Sequence, residues 1–206
     1  MQKDRETKKV EMARILHKID AFKFGLFKLT SGKISPYYID LRIVPSFPDA
    51  FRQICDFYGE AITSQIGLKN FDRIAGVPIA GIPFASQIAY NLKKPFLYVR
   101  KGVRLHGRQR RVEGILISGD RVLLVDDLVT TGLTLKKAAE AVTAEGGIVK
   151  ETVALLDREE GGKEKLAKSG IQLHTLLKIS EVANALYEIG AIDEQNLKTI
   201  LKQIKK

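Results

Sequence analysis

From Phe71 onward the sequence alternates short apolar runs with segments of helical periodicity. Runs such as DRIAGV, PFLYVR, RVLLVDD and IVKETVALLD are separated by patterns such as GIPFASQIAYNL and LTLKKAAEAVTAEG. Strands that alternate with helices in this way form βαβ units, in which the strands are parallel and helices cover both faces of the sheet. The alternation predicts an α/β fold with a mainly parallel central sheet. Such sheets bind ligands at the carboxyl ends of their strands.

The sequence contains no signal that divides it into separate domains. Its 206 residues suit one sizeable α/β domain, and we find no internal repeat, low-complexity linker or abrupt change of composition. Before the alternating region, periodicity predicts a first helix over about residues 8–19, a short strand near 26–30 and a second helix after Ser46 and Pro48. We therefore expect a single domain over residues 1–206.

Composition excludes several classes of protein. The chain is 45% hydrophobic and 28% charged, and no apolar run approaches the ~20 residues of a membrane span. The charged N-terminus, MQKDRETKKVEM, is not followed by the apolar stretch of a secretory signal, so we expect a cytoplasmic protein. Cys55 falls on the apolar stripe of a helix and is predicted to be a core residue. His17 and His174 have no partners at the spacing of a zinc site.

The net charge of +10 is compatible with nucleic-acid binding or with a pocket for a highly anionic small molecule. Much of the informative charge lies in one central block that is interrupted by Gly102 and Gly107. Its six cations in twelve positions are Arg100, Lys101, Arg104, Arg108, Arg110 and Arg111. We interpret this block as a flexible basic loop that closes over phosphates, the alternative being an ordinary solvated loop.

The segment VLLVDDLVTTGLT combines two features that point to a ribose phosphate. Val122–Val125 is predicted to be a buried strand, with Asp126 and Asp127 at its carboxyl end. Thr130, Thr131, Gly132 and Thr134 then open a helix, and hydroxyls with backbone N–H groups at a helix N-terminus form an anion site. Two carboxylates beside a phosphate need another partner, either the cis-diol of a ribose or a divalent cation. Either half alone is better interpreted as a strand-end turn or an ordinary helix cap.

This segment resembles the phosphoribosyl pyrophosphate signature of type I phosphoribosyltransferases. Three further blocks are similar, in the same order and spacing, to orotate phosphoribosyltransferases; they are FGLFKLTSGKISPYYIDLR, VRKGVRLHGRQRRVEG and LLDREEGGKEKLAKSGIQLHTLL. The resemblance covers about residues 24–177. It implies the type I phosphoribosyltransferase fold, with a phosphoribosyl pyrophosphate-binding core over about residues 71–180 and a small N-terminal hood over about residues 1–45.

The resemblance also implies a reaction. Orotate and phosphoribosyl pyrophosphate would give orotidine 5′-monophosphate and pyrophosphate, a step of de novo pyrimidine (UMP) biosynthesis. The family implies Mg²⁺ as cofactor, and we expect the substrate to carry it rather than a dedicated protein site. A homodimer with shared active sites is implied, and we expect neither a nucleic acid nor a membrane as partner.

By match to the family's motifs, roles are assigned residue by residue. The catalytic set comprises Asp126 and Asp127 on the ribose hydroxyls and, on a mobile loop that meets the pyrophosphate, Arg100, Lys101, Arg104 and His106. The set around the 5′-phosphate is Val129, Thr130, Thr131, Gly132, Leu133 and Thr134. The set around orotate is Arg158, Thr130, Tyr37, Tyr38 and Lys28. A pyrophosphate loop, GVPIAG, contributes Gly76, Val77, Ala80 and Gly81.

Three positions depart from the commoner family pattern, because Ala80, Thr30 and Arg104 stand where many relatives have lysine. Lys28 is predicted to lie on the same strand face as Thr30 and to substitute for the missing cation in part. Arginine stays charged at any working pH, so Arg104 can stabilise pyrophosphate but is a poor proton donor. Any proton transfer then falls to His106 or Lys101.

Two other functions remain as alternatives. A phosphoribosyltransferase for a purine base would keep the same signature, but the guanidinium of Arg158 suits a carboxylated pyrimidine and would find no anion on a purine. A non-catalytic regulator could keep the pocket and bind nucleic acid through its basic surface. We find no helix-turn-helix or other reader domain that would favour it.

Overall fold

A computed structural model describes residues 2–28, 34–102 and 110–204, with seven α-helices and eight strands in those ranges. In chain order they are α1 (Gln2–Lys18), β1 (Phe22–Lys28), β2 (Ile34–Ile39), α2 (Pro48–Ala61), β3 (Arg73–Gly76), α3 (Gly81–Asn91), β4 (Phe96–Val99), β5 (Val112–Glu113), β6 (Val122–Val129), α4 (Leu133–Ala144), β7 (Glu151–Asp157), α5 (Gly162–Ala167), β8 (Gln172–Lys178), α6 (Ile179–Glu188) and α7 (Glu194–Ile204). A 3₁₀-helix, Leu41–Ser46, precedes α2, and a π-helical turn, Ile62–Ile66, follows it. None of the helices in the described ranges is long and apolar enough to cross a membrane.

The chain divides into two compact units, Met1–Ile54 with Leu177–Lys206 and Cys55–Leu176. The larger unit is built on a six-stranded sheet in the order β5-β4-β3-β6-β7-β8. Strand β3 pairs in parallel with β4 and β6, and β6 pairs in parallel with β7. At the edge of this sheet the short strand β5 pairs antiparallel with β4. The predicted mainly parallel sheet flanked by helices is confirmed, while the short edge strand β5 was not predicted.

The strand order reverses between β3 and β6. From β3 the chain first adds β4 on one side and later returns to place β6 on the other side. In open parallel sheets a crevice forms at such a reversal, outside the carboxyl ends of the two strands. Here those ends are Gly76 of β3 and the residues that follow Val125 in β6, so both predicted ligand loops start at one crevice.

Strand β6 is longer than its apolar run predicts. The sequence suggests a strand that ends at Val125, but pairing with β7 continues through Asp126↔Ala154 to Val129↔Asp157. Pairing with β3 stops at Gly76↔Val125. The two carboxylates therefore lie within the strand, in the part that has lost its neighbour on the β3 side. This difference arises because an apolar pattern reports burial, whereas hydrogen bonds to a neighbouring strand decide where a strand ends.

Apolar packing holds the sheet and its helices together. Leu124 of β6 lies in one core cluster with Ala75 of β3 and with Leu135 and Val142 of α4. Cys55 is 1% exposed, which confirms the predicted core position. Burial raises the pKa of its thiol to about 12, so the thiolate that would react is strongly disfavoured.

The smaller unit contains a separate two-stranded antiparallel sheet, β1–β2. Its register runs from Phe22↔Ile39 to Lys28↔Ile34, with an irregularity between Phe24 and Phe27. Most of the strand near residue 26 faces solvent, and Leu26 is 86% exposed. In this sheet each strand pairs with one other strand, so the outer edge of each is not paired in the sheet.

Helices α1, α6 and α7 complete the smaller unit, with α1 packed on α6 and α6 on α7. The ammonium of Lys9 in α1 lies 2.7 Å from a carboxylate oxygen of Glu181 in α6. Helix α1 begins at Gln2, six residues before the predicted start. Its first turns, QKDRETKK, are mostly charged and polar, so they contain no apolar stripe from which a helix can be predicted.

Candidate active site

The adjacent carboxylates of β6 form the centre of the site. Asp126 is 6% exposed, and Asp127 is half-buried. The backbone N–H of Asp127 donates to Oδ1 of Asp126 at 3.0 Å. On the α2 side, the hydroxyl of the fully buried Tyr58 donates to the backbone carbonyl of Asp126 at 2.6 Å. Tyr58 therefore holds this part of the strand in place.

The electrostatics of the pair favour a ligand. Burial, reinforced by the negative charge of Asp127, raises the pKa of Asp126 well above the usual range of a carboxyl. Burial also raises the pKa of Tyr58, so its hydroxyl keeps the proton that it donates. Two neighbouring carboxylates, one of them buried, are unfavourable unless hydroxyl donors or a cation face them. The arrangement is therefore suited to bind a diol, a cation or both.

The predicted pyrophosphate loop, residues 76–81, lies directly against Val125 and Asp126 of β6. The N–H of Val77 donates to the carbonyl of Val125 at 3.0 Å. A Cβ atom at Gly81 would lie 2.6 Å from that carbonyl oxygen and 2.8 Å from the Cα of Asp126. These distances are shorter than real Cβ contacts, so glycine is required at 81. Ala80 precedes helix α3, and it contributes no side-chain cap.

The predicted phosphate loop joins β6 to α4. Gly132 adopts a left-handed conformation, with φ of 73°, immediately before the helix. The side chains of Thr130 and Thr131 are half-buried, and Leu133 and Thr134 are exposed. The first N–H groups of a helix have no intrahelical acceptor, so they are available to an anion. Val129 packs its side chain into the core, which leaves only its backbone for a ligand.

The N-terminus of helix α5 packs against the backbone of this loop. Sequence reasoning missed this contact. A Cβ atom at Gly162 would lie 2.6 Å from Cγ1 of Val129 and 2.8 Å from the carbonyl oxygen of Thr130. A Cβ atom at Gly132 would lie 2.9 Å from the carbonyl oxygen of Gly162. The backbone of the phosphate loop and that of α5 are therefore in contact, with Gly132 on one and Gly162 on the other. The paired glycines after LLDREE were the available signal.

Arg158, which family match assigns to orotate, follows β7 and lies beside the phosphate loop. Its N–H donates to the carbonyl of Val129 at 2.9 Å. The residue is 8% exposed, and its Nε is 3.0 Å from Oε1 of Glu160. A guanidinium has five N–H donors in a planar fork, so Arg158 can pair with Glu160 and also with an anionic ligand.

The basic block is described only at its two ends. Nη1 of Arg100 lies 3.1 Å from Oε1 of Glu113, and its backbone N–H donates to the carbonyl of Arg111 at 2.8 Å. Lys101 is exposed. Arg104 and His106 lie outside the described residues, so their predicted roles remain predictions.

The predicted base-side tyrosines lie on β2 in the smaller unit. Tyr37 is 1% exposed and belongs to the core of that unit, whereas Tyr38 is half-buried. The hydroxyl of Tyr38 accepts a hydrogen bond from Nη2 of Arg42 at 2.9 Å. Arg42, four residues further along SPYYIDLR, is a contact that sequence reasoning missed. The side chain of Lys28, like the whole of Thr30, lies outside the described part of the chain.

Comparison with known proteins agrees with this geometry. Residues 49–183 match the family described as phosphoribosyl transferase domain. The orotate phosphoribosyltransferase of Staphylothermus marinus is 45% identical to the chain over 185 residues, which cover 90% of this chain and 89% of that protein. The chain belongs to the orotate phosphoribosyltransferase family.

Solved structures of orotate phosphoribosyltransferases and a related enzyme share the fold. The crystal structure of orotate phosphoribosyltransferase from Aeropyrum pernix is 33% identical and superimposes with a TM-score of 0.77, covering 88% of this chain and 99% of that chain. The structure of Leishmania donovani UMP synthase is 33% identical with a TM-score of 0.85, and the match covers 95% of this chain and 42% of that chain. The resemblance inferred from the sequence is confirmed.

Within the described ranges of this orotate phosphoribosyltransferase, no group of three or more His, Cys, Asp or Glu side chains is placed to hold a metal ion. His174 of β8 instead contacts Glu151 of β7, with Nε2 and Oε2 2.7 Å apart. The pair Asp126 and Asp127 offers two carboxylates at one place. Mg²⁺ commonly uses one or two protein carboxylates and takes its remaining ligands from phosphates and water.

Proposed function

We propose that the protein transfers the ribose 5-phosphate of phosphoribosyl pyrophosphate to orotate, giving orotidine 5′-monophosphate and pyrophosphate in de novo pyrimidine (UMP) biosynthesis. The observation that carries this proposal is the meeting of three segments at one crevice. The glycine loop 76–81 lies against Asp126, Asp127 is its neighbour in β6, and the hydroxyl-rich segment 129–134 follows at the end of the same strand. These segments suit the pyrophosphate, the ribose diol and the 5′-phosphate respectively.

Ribose hydroxyls would donate hydrogen bonds to Asp126 and Asp127. Such donors stabilise the ionised carboxylates, which lowers the raised pKa of Asp126 when the substrate binds. The 5′-phosphate would accept hydrogen bonds from the hydroxyls of Thr130, Thr131 and Thr134 and from the first N–H groups of α4. Both ends of the sugar are then held by one rigid strand and helix, which orients the anomeric carbon.

Orotate would pair its carboxylate with the guanidinium of Arg158, near Thr130. The hydrogen bond from Arg158 N–H to Val129 supports this role, because it places the base-binding arginine next to the phosphate loop. An arginine in this position favours a carboxylated base over a neutral one, since only the carboxylate gives its guanidinium fork a bidentate partner. Tyr37, Tyr38 and Lys28 are assigned to the base by family match.

Departure of pyrophosphate concentrates negative charge on the leaving group while the ribose ring gains oxocarbenium character. Arg100 and Lys101 would supply positive charge to the departing pyrophosphate in the transition state. Family match assigns Arg104 and His106 to the same role. The backbone N–H groups of the loop 76–81 would also face the pyrophosphate, because its glycines allow the backbone to come close to an anion. Mg²⁺ carried by the substrate would neutralise further charge, and Asp126 and Asp127 would offer it carboxylates.

We propose further that the protein acts in the cytoplasm as a homodimer whose basic loop reaches the partner's site. Mixing two inactive variants, Lys101→Ala and Asp127→Asn, tests this arrangement. If sites are shared, subunit exchange forms one site with both native residues and restores part of the activity. If the mixture stays inactive after verified exchange, each subunit uses its own loop.

A turnover assay tests the proposed reaction. Orotate, phosphoribosyl pyrophosphate and Mg²⁺ are mixed with the protein, and the loss of orotate absorbance is followed with and without the metal. Turnover of orotate, with none of hypoxanthine or adenine, is the expected result. Preference for a purine base would make the chain a purine phosphoribosyltransferase. Salt-sensitive nucleic-acid binding without turnover would make it a regulator.

A further inference from the structure

The two ends of the basic block, residues 100–111, are held side by side by a very short ladder. Tyr98 pairs with Glu113 and Val99 with Val112 across β4 and β5. The hydrogen bond from Arg100 N–H to the carbonyl of Arg111 extends the ladder by one step. Strand β5 has only two residues and lies at the edge of the sheet. Its hydrogen bonds to β4 alone would therefore hold it weakly.

Glu145 reinforces this ladder from its other side. Its Oε1 accepts the backbone N–H of Arg111 at 2.7 Å and that of Val112 at 2.9 Å. Hydrogen bonds from amides to a carboxylate are shorter and stronger than those to a neutral acceptor. Val112 is 3% exposed and Glu145 is half-buried, so water competes weakly for these bonds.

The place of Glu145 on its helix argues for a role beyond helix stability. It forms the C-cap of α4, and the last turn of α4 contains no basic residue. A negative side chain at a helix C-terminus is opposed by the helix dipole. The two bonds to the amides of Arg111 and Val112 therefore offset an unfavourable position, and they account for a carboxylate there.

Helix α4 connects this contact to the phosphate loop. It begins at Leu133, within the segment 129–134, and ends at Ala144, one residue before Glu145. Its buried residues Leu135 and Val142 share one core cluster with Val99 and Val112. The N-terminus of α4 thus lies at the proposed phosphate site, while its C-cap Glu145 binds the Arg111 end of the basic block.

We propose that Glu145 is a positioning residue for the transfer reaction. Acting through the backbone of Arg111, it holds the end of the basic block beside Arg100 and Lys101, so that their charges meet the departing pyrophosphate. This inference rests on the proposed function. It assigns Glu145 no contact with substrate.

Two conservative variants separate positioning from charge. Glu145→Gln keeps the length of the side chain and an oxygen that accepts both amides, whereas Glu145→Asp keeps the charge but withdraws it by one methylene. We expect Glu145→Asp to lower kcat by about tenfold with the KM for orotate nearly unchanged, because the lost interaction matters mainly in the transition state. Glu145→Gln should retain most of the wild-type kcat. Glu140→Ala, which removes an exposed carboxylate from the same helix, is the matched control.

Amide hydrogen exchange gives a second measurement that does not depend on turnover. The N–H groups of Arg111 and Val112 should exchange faster in Glu145→Asp than in the wild type, with Val153 of β7 unchanged as an internal reference. Native kcat in a folded Glu145→Asp, or an equal loss in Glu145→Gln, would overturn the inference. So would unchanged exchange. An inactive wild type would instead refute the proposed function, and the exchange rates would still decide whether Glu145 holds the segment.

Discussion

Strand β6 and the two-stranded β1–β2 sheet both carry residues proposed to bind substrate, yet their surroundings differ. Over its first half β6 has neighbours on both sides, and Tyr58 and Gly81 fix the position of Asp126. In the β1–β2 sheet each strand pairs with one other strand, and Tyr38 contacts the ring of Phe27 and the exposed arginine Arg42.

The comparison shows how differently a site can be supported. At the end of β6, backbone pairing, a buried hydroxyl and glycine contacts all define the same few atoms, so an unfavourable carboxylate pair can be maintained there. At β1–β2 the side chains are held by local bonds near solvent, which contribute little each. We therefore expect substitutions on β6 and its loops to have large effects, and substitutions on β2 to have small ones.

The largest effect is expected from Asp127→Asn. Removing the charge that accepts the ribose hydroxyls should lower kcat/KM by about 10²- to 10³-fold, with little change in thermal stability. Steady-state kinetics and a melting curve measure both. Asp49→Asn, on the exposed surface of α2, should leave both values as in the wild type. A loss of less than tenfold would place the ribose elsewhere.

Arg158→Ala should act on one substrate. Loss of a charged hydrogen-bonding partner costs about 1.5–3 kcal/mol, so the KM for orotate should rise roughly tenfold to a hundredfold. The KM for phosphoribosyl pyrophosphate should change far less. Equal effects on the two KM values would remove Arg158 from the base site.

Gly81→Ala tests the close approach of the two loops. The new Cβ would meet backbone atoms of Val125 and Asp126, which cannot move away as a side-chain end can. We expect the free energy of unfolding to fall by about 1–3 kcal/mol, as measured by urea denaturation. Gly59→Ala in α2 is the matched control, because its Cβ would come no closer than 3.8 Å to a neighbour and a helix prefers alanine. A Gly81→Ala variant as stable as this control would contradict the rigid contact.

Asp126→Asn should stabilise the free protein while it lowers activity. The pKa of Asp126 is raised in the folded state, so the native protein loses stability as pH rises from the ordinary carboxyl pKa of about 4 towards the folded value. The variant lacks this ionisation. Its stability should therefore exceed that of the wild type by about 1 kcal/mol near neutral pH, with the gap closing in acid. Denaturation curves at several pH values measure this. A constant gap would show that Asp126 does not titrate abnormally.

The smallest effect is expected on the β1–β2 sheet. Tyr38→Phe removes only the acceptor of one hydrogen bond from Arg42, worth about 1 kcal/mol or less. The free energy of unfolding should fall by no more than this amount, and the KM for orotate should change by at most a few fold. A larger change in KM would show that the Tyr38 hydroxyl contacts the base directly, which would remove the contrast between the two regions.

Much of the fold and of the site could be predicted where the determining signal is local. The alternation after Phe71 specified a parallel sheet because strands and helices of these lengths pack in few ways. Asp126, Asp127 and the threonines of the phosphate loop are adjacent in sequence, so their joint chemistry was visible in one segment. Arg158 was singled out by its match to a family motif, and its position beside the phosphate loop was not predicted.

What only the tertiary structure decided involves partners distant in sequence. Strand β6 continues to Val129 because β7 pairs with it after β3 has ended, and no local pattern encodes that. The contact of Gly162 with the phosphate loop and that of Glu145 with Arg111 each join segments some 30 residues apart. A sequence by itself determines which chemistry the chain carries. The packing of strands and helices determines which of those groups meet, because hydrogen bonds and close contacts depend on distances that periodicity does not contain.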